Sequence, residues 1–598
     1  MYSAYKGLTG SQIIYKKLFE YGVKNVSLYS GGSIMDLVDK FHHNNNNKIN
    51  YIVQTHEQSV GHTATGYAKA SGNMGVSIVT SGPGLTNMIT PMLDSTNDST
   101  PLLVISGQVS TNVMGTNAFQ ECNAVEISKP VTKFSHCIRD IESLPFVLDA
   151  AFYIANDKKK GSVHIDLPKN ISTDIFTNKY NQTKNIFLDE YNEYDNQILH
   201  KYYENSNLDN TNLLEIAERI NKSQKPILYI GQGCNNYSQL LTKFAKKNNI
   251  PVTTTLHAMG VFDEAEPLSL KMLGMHGSAY ANYAIQESDL IICLGARFDD
   301  RTTGNISKYA PNARKKTDNK NGIIHVNINQ QEINSVINSD YPVDADCGEF
   351  LEKIMDLTYF KPRVDWINQI NDWKEKYPLK YNELNDGRIK TQTVLKYLNK
   401  KLANDSIITT DVGTHQMMAA QFIEWCQPKK IITSGSLGVM GTGLPYAIGA
   451  QIAYPNREVC VISGDSSFLM TLPELKTIKE NNLPIKIAVI NNHTQGMVKE
   501  WEKLFFKGRI TATENKNNPK FHKLAESFGI KGIYCNNIDS IEDTVTEFLN
   551  YDGPILCEFD TVDEICLPLV RPGCALDEML LEQEYIKNFN ADNYEPPS

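Results

Sequence analysis

An α/β fold of three doubly wound parallel-sheet domains plus a C-terminal arm is what this sequence predicts. Strand-like and helix-like stretches alternate in three successive blocks, the signature of parallel sheets. At 598 residues the chain exceeds what one hydrophobic core organises. The joins between blocks are polar and poor in aliphatic residues, as expected of domain boundaries.

The first block spans residues 1–185, with buried strands at Val76–Thr80 and Leu102–Ile105 and a helix over Thr55–Gly72. Thr55 with Gln58 three residues later reads as a capping box for that helix. Residues 206–362 form the second block, carrying strands at Ile227–Ile230, Leu290–Leu294 and Ile323–Val326. The third covers 390–560, with strands Val459–Ile462 and Ile485–Ile490 and a helix Pro473–Asn481 between them. An Asn/Asp/Tyr-rich join at 178–207 and a Trp/Tyr/Lys/Asn-rich connector at 365–386 separate the blocks. The Asn44–Asn47 tract reads as a tolerated surface loop, and residues 561–598 as an acidic, Pro-punctuated arm.

Composition excludes several functions. A net charge of −10 argues against nucleic-acid or anionic-membrane partners, which select basic surfaces. The 11 cysteines include no C-x-x-C pair, so they read as reduced thiols rather than a disulfide framework or zinc site. No apolar run approaches the ~18 residues of a membrane span. With no signal-like or Arg-rich leader in view, a cytoplasmic location is expected.

The strongest chemical signal is Gly464-Asp465-Ser466-Ser467, followed 27 residues after Asp465 by Asn492. Either element alone is an ordinary βα turn. At this spacing, each after a strand, they fall at carboxyl ends of neighbouring parallel strands, where open α/β sheets bind ligands. A carboxylate and an amide oxygen are hard ligands suited to Mg²⁺, which also takes phosphate oxygens. The small residues after Asp465 leave room for the backbone to approach a diphosphate.

This pattern resembles the motif of thiamine-diphosphate-dependent enzymes. The resemblance implies that Asp465 and Asn492 bind Mg²⁺ by side chain and Thr494 by its carbonyl. It names the three domains pyrimidine-binding, central and diphosphate-binding. Gly413, Thr414 and His415, with Gly438, Met440, Gly464, Ser466, Ser467, Gly496 and Met497, match the cofactor loops, Met440 being the wedge that bends the cofactor. Gly31 and Gly32 match a turn of the pyrimidine domain, where Ser30 replaces a usual Pro. Glu57 matches the catalytic glutamate, whose carboxyl shares a proton with the aminopyrimidine ring and is expected in a dry pocket that raises its pKa. Since that domain faces the diphosphate domain of another subunit in the family, a homodimer or homotetramer is implied.

A closer resemblance, over roughly residues 8–585, is to catalytic subunits of the acetolactate synthase (acetohydroxyacid synthase) family. It rests on Gly115–Glu121, Asp166–Lys169, Met272–Gly277, Gly295–Arg301 and Gln495–Trp501. The implied reaction decarboxylates pyruvate and transfers its two-carbon unit to a second pyruvate or to 2-ketobutyrate, for branched-chain amino acid synthesis. Gln120 and Lys169 are the implied catalytic neighbours of Glu57. Phe119, Val498 and Trp501 are implied to border the substrate, and Arg301 to hold its carboxylate by a planar fork.

FAD is implied in the central domain, at Gly231, Gly233, Thr253, Thr254, Leu256, Met275, His276, Gly295, Arg297 and Asp346. Lys159 and Asn327 stand where the family has Arg and an acid, so weakened flavin binding is expected. Ser110, where the family usually has Pro, implies weak sulfonylurea inhibition. A separate regulatory subunit is compatible with the resemblance. Aldehyde-releasing decarboxylases, flavin-using oxidases and catalytically silent homologues are the alternatives. Arg301 and Trp501 argue against simple release, and joint retention of Glu57, Asp465 and Asn492 argues against silence.

Overall fold

The computed structural model describes residues 2–42, 49–179, 208 and 210–582. The Asn44–Asn47 tract, most of the 178–207 join and the end of the C-terminal arm lie outside the described residues.

Three six-stranded sheets follow one another, with strand pairs inside each parallel. The first contains β1 (Asn25–Leu28), β2 (Asn50–Val53), β3 (Gly75–Val79), β4 (Leu102–Gln108), β5 (Phe134–Cys137) and β6 (Ser162–Pro168), in the order β2-β1-β3-β4-β6-β5. The second holds β7 (Pro226–Ile230), β8 (Val252–Thr254), β9 (Ser269–Met272), β10 (Leu290–Leu294), β11 (Ile323–Asn327) and β12 (Tyr341–Asp344), in the order β12-β11-β10-β7-β8-β9. In the third, β13 (Ile407–Thr410), β14 (Ile431–Ile432), β15 (Val459–Gly464), β16 (Lys486–Asn491), β17 (Lys531–Cys535) and β18 (Ile555–Asp560) run β14-β13-β15-β16-β18-β17.

The first and third sheets therefore share one connectivity. The second has the order of dinucleotide-binding sheets. Central strands such as β4, β7 and β10 are buried along their whole length, which explains the apolar runs Leu102–Ile105, Ile227–Ile230 and Leu290–Leu294.

The first and third domains pack through helices Glu57–Ser71 and Gly443–Ala453. Glycine makes this crossing close: a Cβ on Gly66 would stand 2.5 Å from Tyr446 Cα, and one on Gly449 only 2.1 Å from the Thr63 carbonyl. Described residues of the C-terminal arm fold back onto the second domain. Val570 N–H donates to the Met275 carbonyl at 2.8 Å, and a short antiparallel pair joins Leu569–Val570 to Met579–Leu580.

Two local expectations need correction. No capping box forms at Thr55. The helix begins at Glu57, His56 is its N-cap through Nδ1 accepting from Gln58 N–H, and Thr55 Oγ1 donates instead to Glu474 of the third domain at 2.5 Å. A tertiary partner out-competes the local cap. The segment after Asp465 is also helical at once, over Asp465–Thr471, before the turn at Leu472–Glu474 and the helix Leu475–Glu480.

Candidate active site

In a sheet ordered like the third, the direction in which successive strands are added reverses between β13 and β15, and the loops leaving those parallel strands flank an open crevice. After β13 come Gly413, Thr414 and His415; after β15 come Asp465, Ser466 and Ser467; Asn492 follows the adjacent β16. Topology thus gathers three segments that lie far apart in the chain.

Three oxygens converge there. The Asn492 side-chain oxygen faces Asp465 Oδ1 at 3.3 Å and the Thr494 carbonyl at 2.9 Å. Turning the amide over would make it donate to both. Left with its oxygen inward, where it also accepts from Thr494 N–H at 3.3 Å, Asn492 turns an acceptor toward two other acceptors, an arrangement that a hard divalent cation satisfies. Asp465 Oδ2 is occupied separately, accepting from Asn515 Nδ2 at 2.8 Å and Asn518 Nδ2 at 2.6 Å. Burial pushes the Asp465 carboxyl upward, and those two amides oppose the shift. Among the described residues no group of three or more His, Cys, Asp or Glu is placed to hold a metal ion. This candidate centre uses one carboxylate, one amide and one carbonyl.

The loops around it are built for close approach. His415 is buried and neutral, its pKa lowered to about 4 by desolvation, and its Nε2 accepts from Gly464 N–H at 3.2 Å. A Cβ on Gly464 would strike that ring at 2.7 Å. Ser467 Oγ donates to the Val412 carbonyl at 3.0 Å, and Ser466 Oγ meets Asn515 Nδ2 at 2.6 Å. Gly496 packs on Thr414, with no room for a Cβ. Buried Asp411 holds the next loop, its Oδ1 accepting from Gly441 N–H at 2.7 Å and Thr442 N–H at 2.9 Å, immediately after Met440. Gly438 has φ +68°, a backbone suited to glycine.

Helix Gly496–Phe505 buries Gly496, Glu500 and Leu504. Trp501 and Met497 would by default be core residues. Instead both are half-buried on the free side, with Val498 53% exposed. Trp501 meets Phe505 edge to face at 5.5 Å.

The first domain places Gly31, Gly32 and Glu57 near the corresponding reversal, between β1 and β3. A Cβ on Gly31 would meet Thr80 at 2.5 Å. Glu57 is half-buried rather than enclosed, and its Oε2 accepts from Asn87 Nδ2 at 2.9 Å. Lys169 Nζ donates to the Gly32 carbonyl at 3.2 Å. Gln120 sits at φ +60° in a loop tied by Glu121, which accepts from Gly115 and Ala118 N–H, and Phe119 stands 89% exposed. A strained backbone held this way is typical of functional loops.

In the second domain the reversal lies between β7 and β10. Gly231 and Gly233 follow β7, and Gly295 follows β10; the two loops touch, since a Cβ on Gly231 would be 2.2 Å from the Gly295 carbonyl. Thr254 Oγ1 and His276 Nε2 are buried without hydrogen-bond partners, and burial lowers the His276 pKa to about 4. Such orphaned groups fit a polar ligand. Leu256 and half-buried Met275 flank them. Other members of the expected set are engaged elsewhere. Asn327 Nδ2 donates to the Ala296 carbonyl at 3.1 Å, Asp346 caps a helix through Gly348 and Glu349 N–H, and Lys159 pairs with Glu332 at 2.7 Å. Thr253 Oγ1 donates to the Lys271 carbonyl at 2.8 Å, and Arg297 lies 3.8 Å from Asp299. Arg301, 63% exposed, is 3.4 Å from Asp300.

Asn87 and Asp411 lie in stretches whose motifs are legible in the sequence, without a role of their own. Asn515 and Asn518 carry no such signal, because their role is set by proximity to Asp465.

Family models agree with the geometry. The N-terminal TPP binding domain of thiamine pyrophosphate enzymes matches residues 8–127, the central domain 213–354, and the C-terminal TPP binding domain 411–559. Fold and site thus define a thiamine-diphosphate enzyme. The chain is 42% identical to the mitochondrial acetolactate synthase catalytic subunit of Saccharomyces cerevisiae, over 97% of this chain and 85% of that protein. It is 37% identical to the acetolactate synthase large subunit of Lactococcus lactis, over 98% and 99% of the two chains. With the Escherichia coli acetolactate synthase isozyme 2 large subunit it shares 36% identity, over 96% and 99%. This chain belongs to the acetolactate synthase family.

Proposed function

We propose that this protein joins two 2-keto acids, giving CO₂ and 2-acetolactate from two pyruvates, or 2-aceto-2-hydroxybutyrate from pyruvate and 2-ketobutyrate. The observation that carries the reading is the convergence of Asp465, Asn492 and the Thr494 carbonyl beside the Gly413–His415 loop, within a chain of this family. Bound thiamine diphosphate supplies the carbon nucleophile on which a 2-keto acid loses CO₂.

The chain's own groups do the rest. Asp465, Asn492 and the Thr494 carbonyl would hold Mg²⁺, and Gly413, Thr414, Gly438, Gly464, Ser466, Ser467 and Gly496 would let the backbone approach the diphosphate. Met440 would pack against the bound ring, and Glu57 is the carboxyl that would share a proton with it. Gln120 and Lys169 border the reacting carbon. A second keto acid brings a carboxylate, which the Arg301 fork pairs with, and Met497, Val498 and Trp501 shape the acceptor's apolar end. The second domain would hold FAD, with the unpartnered Thr254 and His276 available to it.

Glu57 is half-buried and lies on the first domain, whereas the cation corner is built wholly from the third. Exposed Leu437, Met470 and Val498 in the third domain, with Phe119 in the first, suit burial against another copy. A homodimer or homotetramer with shared sites is therefore part of the proposal. The relatives' names, catalytic and large subunit, support a separate regulatory subunit as well. The reading also includes a cytoplasmic location, which recovery with an organelle fraction would overturn.

Incubation with pyruvate, Mg²⁺ and thiamine diphosphate, with and without FAD, tests the activity. Acetolactate is expected; acetaldehyde or acetyl phosphate alone would refute it.

A further inference from the structure

One fully buried carboxylate, Asp98, is met by groups from all three domains. Lys69, near the end of the helix that Glu57 begins, donates to Oδ2 at 2.6 Å. From the third domain, Gly435 N–H donates to Oδ2 at 3.1 Å and Ser436 N–H to Oδ1 at 2.9 Å. From the second, His257 Nε2 stands 3.1 Å from Oδ1, off the hydrogen-bond line, and Gln232 Nε2 donates to the Asp98 carbonyl at 2.9 Å. The neighbouring Asp94 accepts from Ser434 Oγ at 2.5 Å and from Tyr446. Burial disfavours ionisation of Asp98, but His257 and Lys69 outweigh it and hold the carboxyl well below its ordinary range.

The segments gathered here lead to both candidate cofactor sites. Residues 434–440 run from Ser434 to Met440, and Val439 N–H is itself held by Ser434 Oγ at 2.9 Å. His257 follows Thr254 and Leu256, and Gln232 lies between Gly231 and Gly233. The contact is tight, since a Cβ on Gly435 would strike His257 Nε2 at 2.2 Å.

We propose that Asp98 is a positioning residue that couples the two cofactor sites: through Gly435, Ser436 and His257 it holds the 434–440 loop in register with the 254–257 segment. Flavin occupancy then tightens thiamine diphosphate binding. This rests on the function proposed above.

The test titrates thiamine diphosphate into the full-length protein with Mg²⁺, by tryptophan fluorescence, with and without saturating FAD. FAD is expected to lower the wild-type Kd about fivefold or more. His257→Ala should bring that ratio close to one while each cofactor still binds alone, and His257→Gln, whose amide can donate to Asp98, should restore part of it. Asp98→Asn should raise the Kd and abolish the ratio; should it fail to fold, the His257 pair decides. A wild-type ratio of one, or an undiminished ratio in His257→Ala, overturns the coupling alone. Failure of the wild type to bind thiamine diphosphate at all overturns the function reading.

Discussion

The third domain and the first share a strand order yet differ in how complete their ligand corners are. At the third-domain reversal, Asp465, Asn492 and Thr494 already point three oxygens at one another, braced by Asn515 and Asn518. At the first-domain reversal, Glu57 has Asn87 as its partner and stays half-buried. One connectivity, used twice, yields a preorganised cation corner in one place and an acid awaiting its surroundings in the other. The difference follows from what the neighbouring loops supply: asparagine amides and a turn carbonyl in one case, small residues and exposed apolar side chains in the other.

The largest expected effect strikes the preformed corner. Chelating divalent cations should abolish acetolactate formation, and Mg²⁺ should restore it; activity surviving rigorous metal removal would break the contrast. Glu57→Gln should lower kcat by about 10²–10⁴, the range for losing a positioned proton donor or acceptor. Mixing inactive Glu57→Gln with inactive Asp465→Ala chains sharpens the point. Random exchange in a two-fold dimer with shared sites returns about a quarter of wild-type activity, because one site in each mixed dimer is intact. Return of none would place both corners in one chain's own site.

Trp501→Ala should shift the ratio of 2-ketobutyrate to pyruvate use as acceptor by about tenfold, the scale of one lost apolar contact. Product ratios from competing substrates measure it. The smallest effect concerns the buried face of the same helix. Glu500 accepts from Cys566 N–H at 2.5 Å, and burial raises its pKa to about 8. Because the folded value lies above the unfolded one, its contribution to stability is whole below about pH 4.5 and is lost as pH rises toward 8, at most about 1.4 kcal/mol per pH unit. Glu500→Gln should therefore flatten the decline in Tm between pH 5 and 8. An unchanged slope would mean that Glu500 does not titrate there.

Much of this was legible in the residues because backbone chemistry is local. Val459–Ile462 reads as a buried strand from its own composition, and Gly-Asp after it reads as a βα turn. The Asp465–Asn492 pairing was legible too, since one βα crossover brings its ends to adjacent strands. Thr55 was misread because its competitor, Glu474, lies more than 400 residues away. Trp501 and Met497 share a helical face by spacing alone, but whether that face is core depended on Glu500 and Leu504 filling the interior instead.

The sequence by itself determined the three α/β blocks, the ends of strands such as β15 and β16 and the chemical types gathered there, since these depend on short-range periodicity and turn residues. Only the tertiary structure decided which amides brace Asp465, that three domains close on Asp98, and how far Glu57 is enclosed. Those outcomes depend on long-range contacts, and no segment carries in its own residues the identity of the distant group that will satisfy it.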